Sequence, residues 1–378
     1  MNELIAELCP DGVEYETIDG VCEILDHLRR PIARKNRRPG KYPYYGANGV
    51  QDYIDDYIFD GTFLLVGEDG SVINVDNSPV LTWATGKIWV NNHAHVLRET
   101  PKALLRFVYY YLQTVDVSLL VRGAPPKLNQ ANLRRIRIPV PPLPIQQEIV
   151  RILDQFTEVE AQLEAELAAR KKQYDYYRKL LLTFDDSVIR VPLGEIGRIS
   201  MCKRILKAET SPSGDVPFFK IGTFGGKPDA FITFEKYEEY RKTYPFPKKG
   251  DVLISASGTI GRTLVYDGSP AYFQDSNIVW VDNDESIVLN KFLYHYYSLQ
   301  PWSVSTGGTI DRLYTYQLSK TPIPVPPLSE QERIVSILDR FDALVNDLSS
   351  GIPAEIEARR KQYEYYRDKL LSFKEAKR

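Results

Sequence analysis

Two stretches of the chain place apolar residues three and four apart. In the first, Ile149, Ile152, Phe156, Val159 and Leu163 mark one face, and Leu167, Arg170, Tyr174, Tyr177, Leu181 and Phe184 continue it. That spacing predicts a long amphipathic helix with a narrow seam of the coiled-coil kind. The join from Leu163 to Leu167 adds a second successive step of four, a stutter that locally unwinds a supercoil. The second stretch runs through Ile334, Ile337, Phe341, Leu344 and Leu348, then Ile356, Arg359, Tyr363, Tyr366, Leu370 and Phe373. Residues 349–353, Ser-Ser-Gly-Ile-Pro, interrupt it, and Pro353 is expected to kink or break the helix. Pro141-Pro142 and Pro326-Pro327 keep the backbone extended before each helix, and Ser329 with Glu332 reads as a capping box. From Pro144 to Phe184 the first helix would run about 60 Å. Its seam needs a partner, and the second helix of the same chain is the economical one. Arg170 and Arg359 fall on the seam and are expected to face acidic residues across it.

The two stretches are copies. IPVPPLPIQQEIVRILDQF (138–156) returns as IPVPPLSEQERIVSILDRF (323–341), 185 residues on, and RKKQYDYYRKLLLTF (170–184) returns as RRKQYEYYRDKLLSF (359–373), 189 on. TIDGVCEI (17–24) has a weaker echo in PLGEIGRI (192–199). Each helix follows a block that differs from its counterpart. Residues 60–67, 87–90 and 250–255 are short β-branched or aromatic runs bounded by turn residues, and 107–113 and 291–299 read as short helices. The expected fold is α+β, a pseudo-twofold repeat of two mixed, β-rich domains and two long helices. Its divisions fall at 1–142, 143–184, 185–327 and 328–378.

A chain of 378 residues with 43% apolar content can bury more than one core. Its start has neither a basic region nor an apolar run, and no segment approaches the roughly 20 apolar residues of a membrane span. Three scattered cysteines without metal-ligand spacing fit reduced thiols, so a cytoplasmic location is expected. The net charge of −2 hides segregation. Between 28 and 41 stand Arg29, Arg30, Arg34, Lys35, Arg37, Arg38 and Lys41 with no acidic residue, whereas 148–166 carries six acidic residues against Arg151. Unmixed charge points to an anionic partner for one surface and a different partner for another.

No catalytic constellation emerges. Residues 257–263, Ser-Gly-Thr-Ile-Gly-Arg-Thr, lack the lysine of a phosphate loop. His93 and His95 alternate as a metal pair would, but no third ligand stands near in sequence; packing or hydrogen bonding is the expected role, and no metal is assigned. What recurs is chemistry suited to DNA, where cations meet phosphates and amides, hydroxyls and guanidinium groups meet base edges. The basic run leads into an aromatic, glycine-rich segment with Tyr44, Tyr45 and Asn48. The second block offers Lys203, Arg204, Lys207, Lys220, Thr223 and Lys227, with Ser257, Thr259 and Arg262 in one loop. Matched loops close the blocks, 122–129 with Arg122, Lys127 and Asn129, and 307–314 with Arg312 and Tyr314. Arg34 and Arg37 are expected to clamp phosphates.

With the double helix phrases, GEDGSV (67–72), KIWVNNHAHVL (87–97) and SGTIG (257–261), the chain resembles the specificity subunits of type I restriction-modification systems over essentially all its length. The resemblance implies that 1–142 and 185–327 are target recognition domains, each reading one half of a split DNA sequence. It further implies helices that pack antiparallel as a ruler and dock two methyltransferase subunits, which translocase–nuclease subunits join. No cofactor is expected on this chain; S-adenosylmethionine, ATP and Mg belong to the partners, and the chain itself performs no chemistry. The competing readings are a two-domain coiled-coil scaffold that binds proteins, which leaves the basic run without a role, and a self-contained nuclease or methyltransferase, which lacks its motifs.

Overall fold

The computed structural model describes residues 7–304 and 312–376. The chain divides into two units, Met1–Glu164 with Glu355–Arg378, and Ala165–Ala354. Among the described residues six helices reach eight residues or more: α1 (Leu105–Leu112), α2 (Leu143–Leu181), α3 (Phe234–Thr243), α4 (Asn290–Tyr297), α5 (Leu328–Asn346) and α6 (Ile352–Leu370). No helix there is long and apolar enough to cross a membrane.

The first unit contains β1 (Tyr15–Thr17), β2 (Cys22–Ile24), β3 (Pro39–Gly46), β4 (Gly49–Ile54), β5 (Phe59–Gly67), β6 (Leu81–Val90), β7 (Ala94–Glu99) and β8 (Arg137–Pro139). β1 pairs with β8, and the other six form one sheet in the order β2-β7-β5-β6-β3-β4. β5 is apolar without alternation because both its faces are covered. Leu64 and Val66 enter a core with Phe107 and Val108 of α1, while Phe63 and Leu65 join Tyr45, Ile88 and Val96 on the other side.

The second unit contains β9 (Arg190–Pro192), β10 (Arg198–Ser200), β11 (Val216–Phe219), β12 (Phe231–Ile232), β13 (Val252–Ser255), β14 (Thr263–Val265), β15 (Tyr272–Phe273), β16 (Ile278–Asp282) and β17 (Pro322–Pro324). Its sheets run β10-β16-β13-β14 and β12-β11-β15, and β9 pairs with β17. The four-stranded order reproduces β2-β7-β5-β6. The end of β6 answers to β15: β3 runs parallel to β6 at Tyr44–Trp89 and Tyr45–Val90, as β11 runs parallel to β15 at Phe218–Tyr272 and Phe219–Phe273. The weak echo at 17–24 and 192–199 is therefore one strand–turn–strand device used twice, with single-turn helices Ile18–Val21 and Leu193–Ile196 at its centre.

The repeat extends into side chains that the sequence comparison passes over. Gln146 and Gln331 are fully buried at the start of α2 and α5. Gln146 accepts from the Leu104 N–H and donates to the carbonyls of Lys102 and Pro141. Gln331 makes the same three bonds, to Leu289 N–H, Ile287 and Pro326. One amide thus fastens each long helix to its domain. Replacing Gln331 with alanine leaves three buried backbone groups without partners and should cost about 3 kcal/mol. Denaturant melts should detect that loss, against less than about 0.5 kcal/mol for the exposed Glu332→Ala. Beside the amide, Arg106 and Tyr110 of α1 meet Asp154 at 2.8 and 2.5 Å. Lys291 and His295 of α4 meet Asp339 in the same way, at 2.5 and 2.8 Å. Burial holds His295 below its ordinary imidazole range, although Asp339 pulls the other way.

The helices depart from the expected seam. In the first unit the Phe156 ring stacks on Tyr366 at 5.6 Å, and Arg360 bonds Glu160 at 2.6 Å and reaches Glu164 at 3.6 Å. These pairings advance along α2 while receding along α6, which is antiparallel packing. In the second unit Tyr174 and Tyr177 both stack on Phe341, at 6.1 and 5.6 Å. Tyr363 turns instead to the domain, donating to Gln113 beside Tyr110. Ile149 is buried in the domain core with Ile145 and Leu153, and Ile334 with Val335, Leu338 and Val345. Ile152, Leu163 and Ile337 are half-buried, whereas Val159, Leu344 and Leu348 are exposed. The heptad expectation fails at those three because each helix serves two surfaces, a domain and another helix, and Leu348 lies beyond the end of α5. Arg170 and Arg359 do not reach across; they pair with Glu166 and Glu355 on their own helices.

Two terminus expectations also change. α5 begins at Leu328 after an uncapped Pro327, so Ser329 lies inside the first turn and forms no capping box. The interruption falls at 347–351, and Pro353 sits in the first turn of α6, where its missing N–H is no loss. Asp347 holds the break: its carboxylate accepts from the backbone N–H and hydroxyl of Ser349 and from Ser350, which pulls its pKa down to about 2. A Cβ at Gly351 would come 2.5 Å from the carbonyl oxygen of Ala343, so the turn requires glycine there.

Candidate nucleic-acid interface

Each domain presents three pieces of backbone at equivalent places, although the strand tip is the two-residue turn Ala47–Asn48 in the first and the longer connection 220–230 in the second. The first is a basic single turn, Arg34–Asn36 in one domain and Lys207–Glu209 in the other. The carbonyl before it is anchored alike, Arg30 by the Trp89 indole at 2.6 Å and Lys203 by the Tyr272 hydroxyl at 2.9 Å. The second is the tip after β3 or β11. β3 turns into β4 through Ala47 and Asn48, and Gly49 closes the turn at φ 87°, a conformation favouring glycine. The third is the closing loop. Leu128 donates its N–H to the Glu68 carbonyl and Leu313 to that of Ala256, both at 2.9 Å. Lys127 and Arg312 form matching backbone β-bridges to Asp69 and Ser257, while the Lys127 ammonium pairs with Glu68 at 3.4 Å. The matched loops thus pair alike at 127–128 and 312–313; residues 307–311 of the second lie outside the described residues.

In the first domain a buried ionic group ties the basic run to its closing loop. Asp26 bonds His95 at 2.6 Å and Gln130 at 3.0 Å, and the other nitrogen of His95 meets the Leu128 carbonyl at 2.7 Å. Arg29 reaches Glu68 at 2.6 Å, Asp26 at 3.3 Å and the Ala94 carbonyl at 2.8 Å. Burial alone would raise Asp26, but His95 and Arg29 hold it below the usual carboxylate range. Asp26, Glu68 and His95 bring their ligand atoms within 4.8 Å of one another, as a metal site would. The guanidinium of Arg29 already supplies the positive charge there, so the group reads as a hydrogen-bonded anchor. His93 precedes β7 and lies 3.6 Å from Asp69.

Arg30, Arg34, Lys35, Arg38 and Lys41 are exposed, with no acidic partner within ion-pair distance among the described residues, and Asn48 and Arg122 are exposed as well. Several expectations are corrected. Arg29 is neutralised internally. Arg37 is held by Asp52 at 3.3 Å, by the Ile32 carbonyl, and over the Tyr44 ring at 4.1 Å. Tyr44 and Tyr45 are core residues: the alternation of β3 sends them to opposite faces, Tyr44 to a cluster with Ile54 and Trp89 and Tyr45 to one with Phe63 and Ile88, and both faces are covered. Asn129 caps the single-turn helix Gln130–Leu133 through its own side chain.

In the second domain Arg204, Lys207, Lys220 and Arg312 converge on a cleft of about 610 Å³, with Gln274 and Asn277 in its wall. Arg204 pairs with Asp275 and Lys220 with Asp229, both at 2.8 Å. Lys203 lies over the Tyr244 ring at 5.1 Å, and Lys227, Thr259 and Tyr314 are exposed. Arg262 is half tied, donating to the Phe224 carbonyl at 2.8 Å. Thr223 spends its hydroxyl on the Lys220 backbone and Ser257 is buried against Asn277, so both shape loops.

These two domains coincide with two matches to the type I restriction modification DNA specificity domain, at residues 10–169 and 187–358. The chain belongs to that family. It is 50% identical over 370 residues, 96% of each chain, to a putative type I restriction enzyme specificity subunit of Haemophilus influenzae. It is also 35% identical over 295 residues, 72% of each, to the specificity subunit of the Escherichia coli enzymes EcoR124I and EcoR124II. In fold it resembles the S subunit of M. genitalium, with a TM-score of 0.60 at 17% identity and 95% and 96% of the two chains covered.

As a type I specificity subunit the chain is the non-catalytic, DNA-specificity component of its system. Sequence reasoning misses two features of it. Lys207 is legible as a basic residue but its equivalence to Arg34 is not, because the shared feature is a backbone turn between dissimilar residues. Gln274 gives no signal at all: only the strand pairing reveals that it stands where Asn91 stands, each N–H donating to the carbonyl of the preceding parallel strand, Tyr45 at 3.0 Å and Phe219 at 2.9 Å.

Proposed function

We propose that each domain of this specificity subunit reads one half of a bipartite duplex, and that the long helices fix the gap between the halves. The observation that carries this reading is the recurrence of the basic turn, strand tip and closing loop at equivalent places with divergent side chains. Shared backbone supplies shared docking on phosphates, and divergent residues supply different base contacts. The exposed helix positions Tyr176, Leu180 and Tyr365 are offered to partner subunits. Those partners are two methyltransferase subunits carrying S-adenosylmethionine, joined by restriction–translocase subunits using ATP and Mg. A solved structure concerned with complex assembly of the type I system, similar in fold at a TM-score of 0.55, supports such a setting. Exchanging residues 185–327 for the second domain of another specificity subunit tests the reading. Methylation mapping should show one half-site replaced and the other kept; a change in both halves contradicts modular reading.

A further inference from the structure

In the cleft of the second domain the orientation of Gln274 is fixed from behind. Gln274 follows β15, and its side-chain oxygen accepts from the Ile221 N–H at 2.9 Å. Because Ile221 can only donate there, the atom facing it is the oxygen, and the amide NH2 is left on the cleft side of the group. The walls around it add further donors: Lys207, Lys220 and the guanidinium groups of Arg204 and Arg312. Two of these cations are balanced, Arg204 by Asp275 and Lys220 by Asp229, so the donors are held in place by neighbours. The adjoining backbone is also constrained, since Ser276 adopts φ 61°, a left-handed conformation in a residue with a Cβ.

Asn91, at the equivalent place in the first domain, is used differently. It is buried, its oxygen accepts from the His93 N–H at 2.7 Å, and its NH2 donates to Gln51 at 3.3 Å. The same scaffold position is therefore closed in one domain and open in the other.

We infer that Gln274 is a specificity-determining residue of the second domain, presenting its NH2 to an acceptor-bearing base edge in the major groove. Guanine offers two acceptors there, N7 and O6, and no donor, which matches the amide NH2 and the cations around it, the Asp229 and Asp275 carboxylates of the same cleft being occupied by Lys220 and Arg204. The half-site read by this domain then contains a guanine at the position Gln274 meets. This rests on the proposal that residues 185–327 read one half-site.

The test assembles the full chain with methyltransferase subunits and methylates a library of randomised duplexes. The wild-type complex should select guanine at one position of the second half-site. Gln274→Ala should lose about tenfold in discrimination at that position and nowhere else. Gln274→Glu keeps the oxygen for Ile221 but replaces the donor with an acceptor, and should shift preference there toward adenine or cytosine, which carry amino groups. An unchanged motif in both variants overturns the inference. So does an equal loss at every position of the half-site in both, which would make Gln274 a structural prop. If exchange of residues 185–327 changes one half-site while both Gln274 variants read as wild type, the inference fails and the modular reading stands. If the exchange changes neither half, the modular reading itself fails.

Discussion

Replacing Arg34, Lys35, Arg38 and Lys41 together with alanine should weaken binding to duplexes of every sequence on the order of a hundredfold at low salt. The slope of log affinity against log salt should flatten by about 3.6, at about 0.9 for each phosphate that is no longer neutralised. All four side chains are exposed on or beside the basic turn and the start of β3, without acidic partners among the described residues. Their charge is therefore available to a polyanion. Arg29 and Arg37 make the contrast. Arg29→Ala would remove the guanidinium shared by Asp26 and Glu68 in a partly buried setting, leaving Glu68 to Lys127 at 3.4 Å, and Arg37→Ala would unpair Asp52 and uncover Tyr44. Those changes should appear as lost stability more than as an altered salt slope. Fluorescence anisotropy titrations across a salt series, with melts of the same variants, separate the two classes. An unchanged slope in the fourfold variant would make these residues base readers or bystanders.

Deleting residues 163–166 should shorten the preferred gap between half-sites. α2 is continuous from Leu143 to Leu181, so removing four residues shortens it by about 6 Å. That equals on the order of two base pairs at about 3.4 Å each. The stutter at Leu163 is the gentlest place for the cut, because three of the removed positions are exposed and Leu163 itself is half-buried. The cut gives up the Arg360–Glu164 contact but keeps Arg360–Glu160 and the residues that stack on either side, Phe156 with Tyr366 and Tyr174 with Phe341. Methylation of targets whose gap is varied one base pair at a time reads the outcome. An unchanged optimum would mean that the helix does not set the gap.

The helices are legible in the sequence because their period and their repetition are written in apolar residues, which physics constrains to one face. Their exact buried face is not. Val159 and Leu344 satisfy a heptad yet stand exposed, while Leu338 and Val345 break it and are buried, since the domain surface each helix also covers leaves no periodic trace. The α+β domains are legible as a class from short β-branched runs, but their shared topology is not. β6 is one strand in the first domain, and the second splits its equivalent between β14 and β15, so sequence similarity dissolves where strand pairing persists. For the interface, charge segregation locates the right region. It does not tell Arg34 from Arg29, because the carboxylates that neutralise Arg29 include Glu68, 39 residues away. Tyr44 and Tyr45 look like groove-facing aromatics for the same reason: their burial depends on a parallel partner strand that local sequence does not announce.

The most direct test of the account is a genome-wide map of methylated sites after co-expression of this chain with a methyltransferase partner. A single motif made of two short specified segments separated by a fixed length of unspecified sequence is the expected result. A continuous motif without a gap, or methylation without sequence preference, would contradict it.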